Sequence, residues 1–307
     1  MYSQTVTILP YRMCIDIKGT QWRSFLQGLL TCDLAAVLAG DLVYGYLLTP
    51  RSKVIADIFV YTHSFGVPIG APDVGGVTLS CDARVGSRVL QLLMMYKLRC
   101  DVTIAENADL VECITYTPFA SFLGGGDPRV PQRGDSPPAL GYRYLITSFE
   151  QESLKEKRAQ DSVMYNQWRQ KRLLMGVLEG VREYGEDQLF PMETNGAFIN
   201  ALSWNKGCYV GQELITRTQH AGEVRKYVFA GVPAQGSSVD ESPQEVYYKG
   251  VRVGKLLFCY NHVCALMLRY RDFPVVDGVL VTLKDGTEVS VRIPPFLASV
   301  VKEKSAS

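Results

Sequence analysis

Lys206-Gly207-Cys208-Tyr209-Val210-Gly211-Gln212-Glu213 is the stretch on which the reading of this chain turns. A cysteine stands two residues after a lysine, with a glycine before it and another three residues on. Gly207 and Gly211 permit positive φ and let a ligand or a partner backbone come close. A nearby ammonium favours thiolate over thiol, and thiolate is both the nucleophile and the metal-binding form. Gln212 and Glu213 add polar groups after the turn, and Leu214 and Ile215 return to core. Local chemistry leaves two readings open: a reactive thiol on a glycine loop, or a tight turn whose cysteine merely packs.

The other seven cysteines give no rival centre. Cys14, Cys32, Cys81, Cys100, Cys113, Cys259 and Cys264 form no Cys-x-x-Cys pair, and the chain has only three histidines, His63, His220 and His262. A structural zinc site needs four clustered ligands, so none is expected. A chain of 307 residues needs no disulfide staples, and the pattern fits a reducing compartment with most thiols packed as small apolar groups. Length sets a prior of roughly two domains. A composition 47% hydrophobic and 21% charged excludes whole-chain disorder. Lys and Arg number 32 against 31 Asp and Glu, a net charge of +1, so nucleic acid is not an expected partner. No apolar run approaches the roughly 18 residues of a membrane span. Pro10 and polar residues interrupt any secretory pattern at the start, and no Arg-rich presequence is visible.

Outward from the cysteine loop, periodicity predicts an α+β chain. A strand is expected at 13–17, then a helix carrying Trp22, Phe25, Leu26, Leu29 and Leu30 with Thr20 as N-cap. Strands at 44–48 and 54–61 flank Thr49-Pro50-Arg51-Ser52-Lys53, which reads as a hairpin turn. Val85, Val89, Leu92, Leu93 and Tyr96 mark a second helix capped by Asp82, and strands follow at 101–104 and 110–116. The stretch 124–138, rich in Gly, Pro and charge, reads as a surface loop before a strand at 141–146. Asp161 or Ser162 caps a helix with Met164, Trp168 and Met175 on one face, closed by Gly176. The stretch 234–243 is loop-like. After Val224 short strands at 224–232, 251–257, 265–269, 279–283 and 288–293 suggest a small β-barrel. Its turns are Lys249-Gly250, Asp277-Gly278 and Asp285-Gly286, the Asp-Gly pairs suiting type I′ geometry.

The cysteine segment resembles the signature of the YgfZ-type proteins, relatives of the folate-binding aminomethyltransferase (T-protein) of the glycine cleavage system. The likeness covers most of the chain in order. Phe25-Leu26-Gln27-Gly28-Leu29-Leu30-Thr31-Cys32-Asp33 is similar to the family's N-terminal helix exit, with Cys32 where asparagine is usual. Leu48-Thr49-Pro50-Arg51-Ser52-Lys53 followed by Asp57 resembles the next block, with Ser52 replacing a customary glycine. Tyr96-Lys97-Leu98-Arg99, Gly176-Val177-Leu178-Glu179-Gly180-Val181 and Pro191-Met192-Glu193-Thr194-Asn195 match further elements, and Arg217-Thr218 and 222–226 follow the cysteine in the expected order. Asp127-Pro128-Arg129, Leu140-Gly141-Tyr142-Arg143 and Ala197-Phe198-Ile199-Asn200 resemble the family's mitochondrial branch, which assembles iron–sulfur clusters.

The resemblance implies a three-domain ring around a central channel able to hold a reduced folate. The expected pieces are a discontinuous folate-binding-like domain of 1–48 and 148–225, an inserted domain of 49–147 and a barrel of 226–307. Glu179 would stand against the pterin ring, where a carboxylate can accept two parallel hydrogen bonds; the alternative is an exposed helix-exit glutamate. Asp57 would face the reactive nitrogen of tetrahydrofolate, the alternative being a strand-edge carboxylate. Ser80-Cys81-Asp82 replaces a family strand end that carries asparagine. Cys208 is implied as ligand to a 2Fe–2S cluster shared with an A-type iron–sulfur scaffold or carrier protein, since one cysteine cannot supply the roughly four ligands a cluster needs. Lys206 would tune that thiolate or bind a carboxylate, or else be a solvated surface lysine. Tyr209, Gln212 and Arg217 are supporting groups. The implied function is assembly of iron–sulfur clusters late in the maturation of 4Fe–4S client proteins, in the mitochondrial matrix or, in a bacterial member, the cytoplasm. The alternative is a tetrahydrofolate-dependent one-carbon transferase. A cysteine hydrolase using Cys208 and His220 lacks an oxyanion-hole signature, and a scaffold with an inert thiol completes the readings.

Overall fold

The computed structural model describes residues 6–63, 75–118, 123–130, 138–154, 161–222, 224–234, 239 and 243–305. The chain divides into two compact units, Met1–Tyr165 with Ile199–Gln212, and Asn166–Phe198 with Glu213–Ser307. The first unit contains β1 (Thr7–Ile8), β2 (Arg12–Lys18), α1 (Trp22–Gln27), β3 (Leu42–Leu48), β4 (Val54–Thr62), β5 (Gly76–Asp82), α2 (Ala83–Lys97), β6 (Thr103–Glu106), β7 (Leu110–Thr115), β8 (Leu123–Gly126), β9 (Tyr142–Thr147) and α3 (Ser148–Leu154). Its strands form one antiparallel sheet of order β3-β4-β5-β2-β6 and another of order β1-β7-β9-β8. The larger sheet draws strands from both sides of residue 48.

The expected helices form, but the first ends at Gln27, before Leu29 and Leu30, and its cap changes. Trp22, Phe25 and Leu26 are buried on α1, yet its N-cap is Gln21, whose side chain accepts Asp101 N–H at 2.6 Å and makes no capping bond to the helix. Thr20 instead donates its hydroxyl to Asp101 Oδ2 at 2.7 Å, a charged acceptor outcompeting the helix backbone. Asp82 caps α2 as expected, accepting Arg84 N–H at 2.9 Å. Strand β5 escaped the sequence pattern because it lies between β4 and β2 and is buried along its whole length, polar residues included. Its polar positions have partners: Thr78 Oγ1 donates to Asp16 at 2.6 Å, and Ser80 bonds Glu112.

The stretch expected as a surface loop from 124 to 138 is corrected in its first half; residues 131–137 lie outside the described set. It opens as β8, paired with β9, and continues into Asp127 and Arg129, which are buried. There Arg12, Arg129 and Arg143 meet Asp57, Glu112 and Asp127, three cations against three carboxylates with no exposed side-chain surface. Arg12 reaches Asp57 at 2.9 Å and Glu112 at 3.3 Å, Arg143 and Arg129 each reach Asp127 at 2.8 Å, and Arg143 also bonds Glu112. All three guanidiniums lie over the Phe59 ring, between 4.0 and 5.2 Å from its centroid.

The second unit takes most of α4 (Asp161–Leu174), then α5 (Val181–Tyr184), and α6 (Gln212–Ala221) from its second residue. The closed barrel consists of β10 (Tyr227–Pro233), β11 (Glu245–Tyr248), β12 (Val251–Tyr260), β13 (Val263–Leu268), β14 (Leu280–Leu283) and β15 (Glu288–Arg292), followed by α7 (Ala298–Ser305). Gly176 closes α4 with φ +67°. The side chains of the two cap candidates for α4, Asp161 and Ser162, lie outside the described set, as does most of 234–243. Asn195, itself at φ +64°, donates to the carbonyls of Gly176 and Val228 at 2.9 Å and accepts Val228 N–H at 3.1 Å, tying the α4 exit to the barrel.

Two expectations for the barrel are corrected. Lys249-Gly250 turns with both φ values positive, but Asp277 and Asp285 do not enter that region. Their carboxylates instead accept backbone N–H groups of Ile293 at 3.0 Å and Thr287 at 2.9 Å, so the side chain shapes the turn. Cys259 and Cys264, expected as packed thiols, form a disulfide. The β12–β13 register sets them directly opposite each other across Asn261-His262.

Candidate functional site

The cysteine loop is held by the exit of α1 and by the β3–β4 turn. After α1 the chain passes Gly28 and bridges from Leu30 to Leu47 of β3. Thr31 is buried there; its hydroxyl donates to the Ala201 carbonyl and accepts Tyr46 N–H at 2.8 Å, while its own carbonyl accepts Ser203 N–H at 3.0 Å. Lys206 Nζ then donates to the carbonyls of Leu30 at 2.7 Å and Cys32 at 2.6 Å. Val210 N–H donates to the Gly28 carbonyl at 3.0 Å. Ser52 Oγ donates to the Gly211 carbonyl at 2.5 Å. The loop is thus fastened before and after Cys208, and the Cys208 side chain is exposed between the fastenings.

The two glycines differ in what they do. Gly211 sits at φ +80°, and a Cβ there would stand 2.6 Å from the Thr49 carbonyl oxygen, so close approach requires glycine. Gly207 has no positive φ, and its Cβ position meets nothing within 4 Å. The space beside Cys208 is open.

Lys206 is neither a free surface lysine nor an ammonium without other work. Burial lowers its pKa from the ordinary lysine value, with Cys32 and Asp33 pulling the other way. Its charge lies 5.1 Å from the centroid of the Tyr209 ring. Tyr209 is buried, which pushes its hydroxyl up to about 12. Gln212 opens α6 by donating its N–H to the Tyr209 carbonyl at 3.2 Å. Arg217 and His220 are exposed on the part of α6 that belongs to the second unit. Thr31 and Ser52 also position the loop. Nothing in the apolar periodicity marks Thr31, whereas Ser52 carried a signal, standing where the family has glycine.

Cys208 differs from every other free thiol. Cys14, Cys32, Cys81 and Cys113 are buried and Cys100 is partly so. Burial pushes the thiols of Cys32 and Cys81 up to about 12, and those of Cys14 and Cys113 upward as well. Among the described residues, no group of three or more His, Cys, Asp or Glu side chains is placed to hold a metal ion. The loop therefore offers one soft ligand from a fixed backbone.

The two folate candidates lie in different units. Asp57 is on interior strand β4, fully buried, its carboxylate accepting Arg12 Nη1 at 2.9 Å. It is not a strand-edge group, and its charge is already compensated. Glu179 precedes α5 in the second unit and is also buried, not an exposed helix-exit residue. Arg172 hydrogen-bonds Glu183 and the Val177 carbonyl, and its Nε lies 3.9 Å from Glu179 Oε2. Both candidates are thus buried carboxylates with a guanidinium nearby, Arg12 for Asp57 and Arg172 for Glu179. Ser80-Cys81-Asp82 is occupied by Glu112 pairing, packing and the α2 cap.

An α+β architecture with a closed six-stranded barrel and an exposed cysteine on a clamped loop make an aminomethyltransferase-like fold that presents a thiol. The solved glycine cleavage system aminomethyltransferase T from Bartonella henselae has this fold, with a TM-score of 0.68 and 15% identity over 95% of this chain and 85% of that one. By sequence, the chain is similar to the mitochondrial iron-sulfur cluster assembly factor IBA57 of Homo sapiens, 29% identical over 72% of this chain and 64% of that protein. It is 27% identical to the Mus musculus protein of the same name, over 85% of this chain and 76% of that one. For the Pyricularia oryzae homologue the figures are 29%, 72% and 56%. The chain thus spans less than two thirds of the human and Pyricularia proteins. No protein-family model matches it. The resemblance to the YgfZ-type, aminomethyltransferase-like family is borne out by both kinds of relative. Among the described residues, no helix is long and apolar enough to cross a membrane.

Proposed function

We propose that this protein is an iron–sulfur cluster assembly factor of the mitochondrial matrix. In this reading the Cys208 thiolate supplies one ligand to a 2Fe–2S cluster shared with an A-type scaffold or carrier protein, late in the maturation of 4Fe–4S clients. The observation that carries it is the exposure of Cys208 on a loop fastened at both sides. A shared cluster needs about four ligands, and a lone presented thiolate is one partner's share. Trp204 supports the reading: it is 39% exposed four residues before Cys208, and an exposed indole is a common anchor at protein interfaces. The names borne by the relatives point the same way.

The test is anaerobic mixing with a cluster-loaded A-type protein, followed by size exclusion with visible absorbance. Wild type should elute as a coloured heterocomplex and Cys208→Ser should not. The Ser variant should keep its thermal transition, because the side chain it replaces is exposed. Equal colour capture by both proteins removes Cys208 as a ligand.

Tetrahydrofolate enters this proposal through Glu179, the buried carboxylate that the resemblance sets against the pterin ring, where such a group accepts a pair of parallel hydrogen bonds. When bound, the folate would supply a one-carbon carrier, which keeps the transferase reading as the alternative. Glu179→Ala should weaken tetrahydrofolate binding about tenfold or more, as expected for loss of a charge-assisted pair. Unchanged affinity in a calorimetric titration takes Glu179 out of the site, and a measured one-carbon turnover would favour the transferase.

A further inference from the structure

Helix α2 buries one face against its sheet and leaves the opposite face in water. Val85, Val89 and Leu93 are buried, while Arg84, Ser87, Gln91, Met94 and Met95 are exposed. Steps of three and four residues set the exposed group on one stripe, which runs on to the C-cap, Leu98. The C-terminal half of that stripe is apolar: Met94 is 51% exposed, Met95 57% and Leu98 85%. Single exposed apolar residues are ordinary on a surface, but three within five positions form a patch. Leu98 also has φ +44°, where a leucine is strained. The turn around it is closed, with Cys100 N–H donating to the Lys97 carbonyl at 2.8 Å and Val102 N–H to the Cys100 carbonyl at 2.9 Å. Leu98 thus gains neither burial nor a relaxed backbone within the protein.

The same segment is cationic. From 83 to 100 the chain carries Arg84, Arg88, Lys97 and Arg99 and no carboxylate. Arg84 shares the field of the N-cap Asp82, and Arg88 has an interaction of its own. Lys97 and Arg99 form no ion pair among the described residues. Asp101, the next acid along the chain, accepts the Thr20 hydroxyl at 2.7 Å instead. Unmatched positive charge therefore stands on either side of Leu98. A helix face turned away from its sheet is a ridge, which suits a surface that yields to side chains. On a lipid surface, apolar tips enter the boundary below the headgroups while ammonium and guanidinium groups stay among anionic headgroups.

We propose that the C-terminal half of α2 is a reversible docking face for an anionic lipid surface. Met94, Met95 and Leu98 enter the headgroup boundary, and Lys97 and Arg99 lie against the anionic headgroups.

The test is cosedimentation of the full chain with vesicles of phosphatidylcholine mixed with phosphatidylglycerol, beside vesicles of phosphatidylcholine alone. Binding is expected to the mixed vesicles only, and added salt should release it. Lys97→Gln with Arg99→Gln should weaken it about 25-fold, at about fivefold per cation. Met94→Gln with Leu98→Gln should weaken it about tenfold or more. Both double variants change side chains at the surface and should keep the thermal transition of the wild type. Absence of cosedimentation with the mixed vesicles overturns the proposal, as does equal binding to both kinds of vesicle or full binding by either variant. Analytical ultracentrifugation without lipid tests the other occupant. A dimer that dissociates in the Met94→Gln, Leu98→Gln variant would show that a second copy of the chain covers this face, and would overturn the lipid assignment.

Discussion

Ser52 shows how a single backbone angle and a single hydroxyl serve the cysteine loop. It sits at φ +61°, in the left-handed region where glycine is favoured, and it is buried. A non-glycine residue there is strained by about 1 kcal/mol or more. Its hydroxyl offsets that strain by holding the Gly211 carbonyl, a bond worth about 1 kcal/mol net. Ser52→Gly should therefore leave stability nearly unchanged, exchanging the bond for relaxed backbone. Ser52→Ala keeps the strain, loses the bond, and should destabilise by about 1 kcal/mol in urea unfolding. An alanine variant as stable as wild type would show the hydroxyl contributes nothing. Ser52 was legible in sequence as a departure from glycine, but its reason was not, because the accepting carbonyl lies 159 residues away.

At the scale of elements, the buried ion network joins β2, β4, β7 and β9 to the segment after β8. Burial pushes the Asp127 carboxyl upward, but Arg129 and Arg143 outweigh it and hold the group below the usual carboxylate range. A carboxylate with a lowered folded pKa stabilises the fold above its unfolded value, about 3.9, and that contribution is lost as pH falls through the folded value. Acid unfolding of the wild type should therefore steepen below about pH 4. Asp127→Asn should flatten that slope and, by leaving guanidinium charge buried with less compensation, destabilise by about 3 kcal/mol at neutral pH. Identical acid slopes in the two proteins would contradict this account. Alternating and helical periods revealed most strands and α2, and regular turns revealed the barrel. Strand β5 and the segment 123–129 stayed hidden for one physical reason. Their polar residues are satisfied by partners far along the chain, with Asp127 16 positions from Arg143, and a local window reads such residues as exposed.

Over the whole molecule, eight cysteines sort into one disulfide and six thiols of very different access. A thiol reagent at mild alkaline pH should modify Cys208 rapidly in the native protein and Cys100 more slowly, with Cys14, Cys32, Cys81 and Cys113 reacting only after unfolding. Cys208→Ser should lack the rapid phase; a rapid phase surviving in that variant would place the accessible thiol elsewhere. The sequence singled out Cys208 by its neighbours, while the Cys259–Cys264 pairing became visible only with the strand register. Lys206 secures the loop to the carbonyls of Leu30 and Cys32. This has a thermodynamic consequence. Ordering a flexible segment on association opposes binding, and here much of that ordering has already occurred during folding. In the proposed function Cys208 would meet an incoming cluster as a stationary ligand, and residence time would then be governed by bonds made to sulfur rather than by the freezing of a mobile loop.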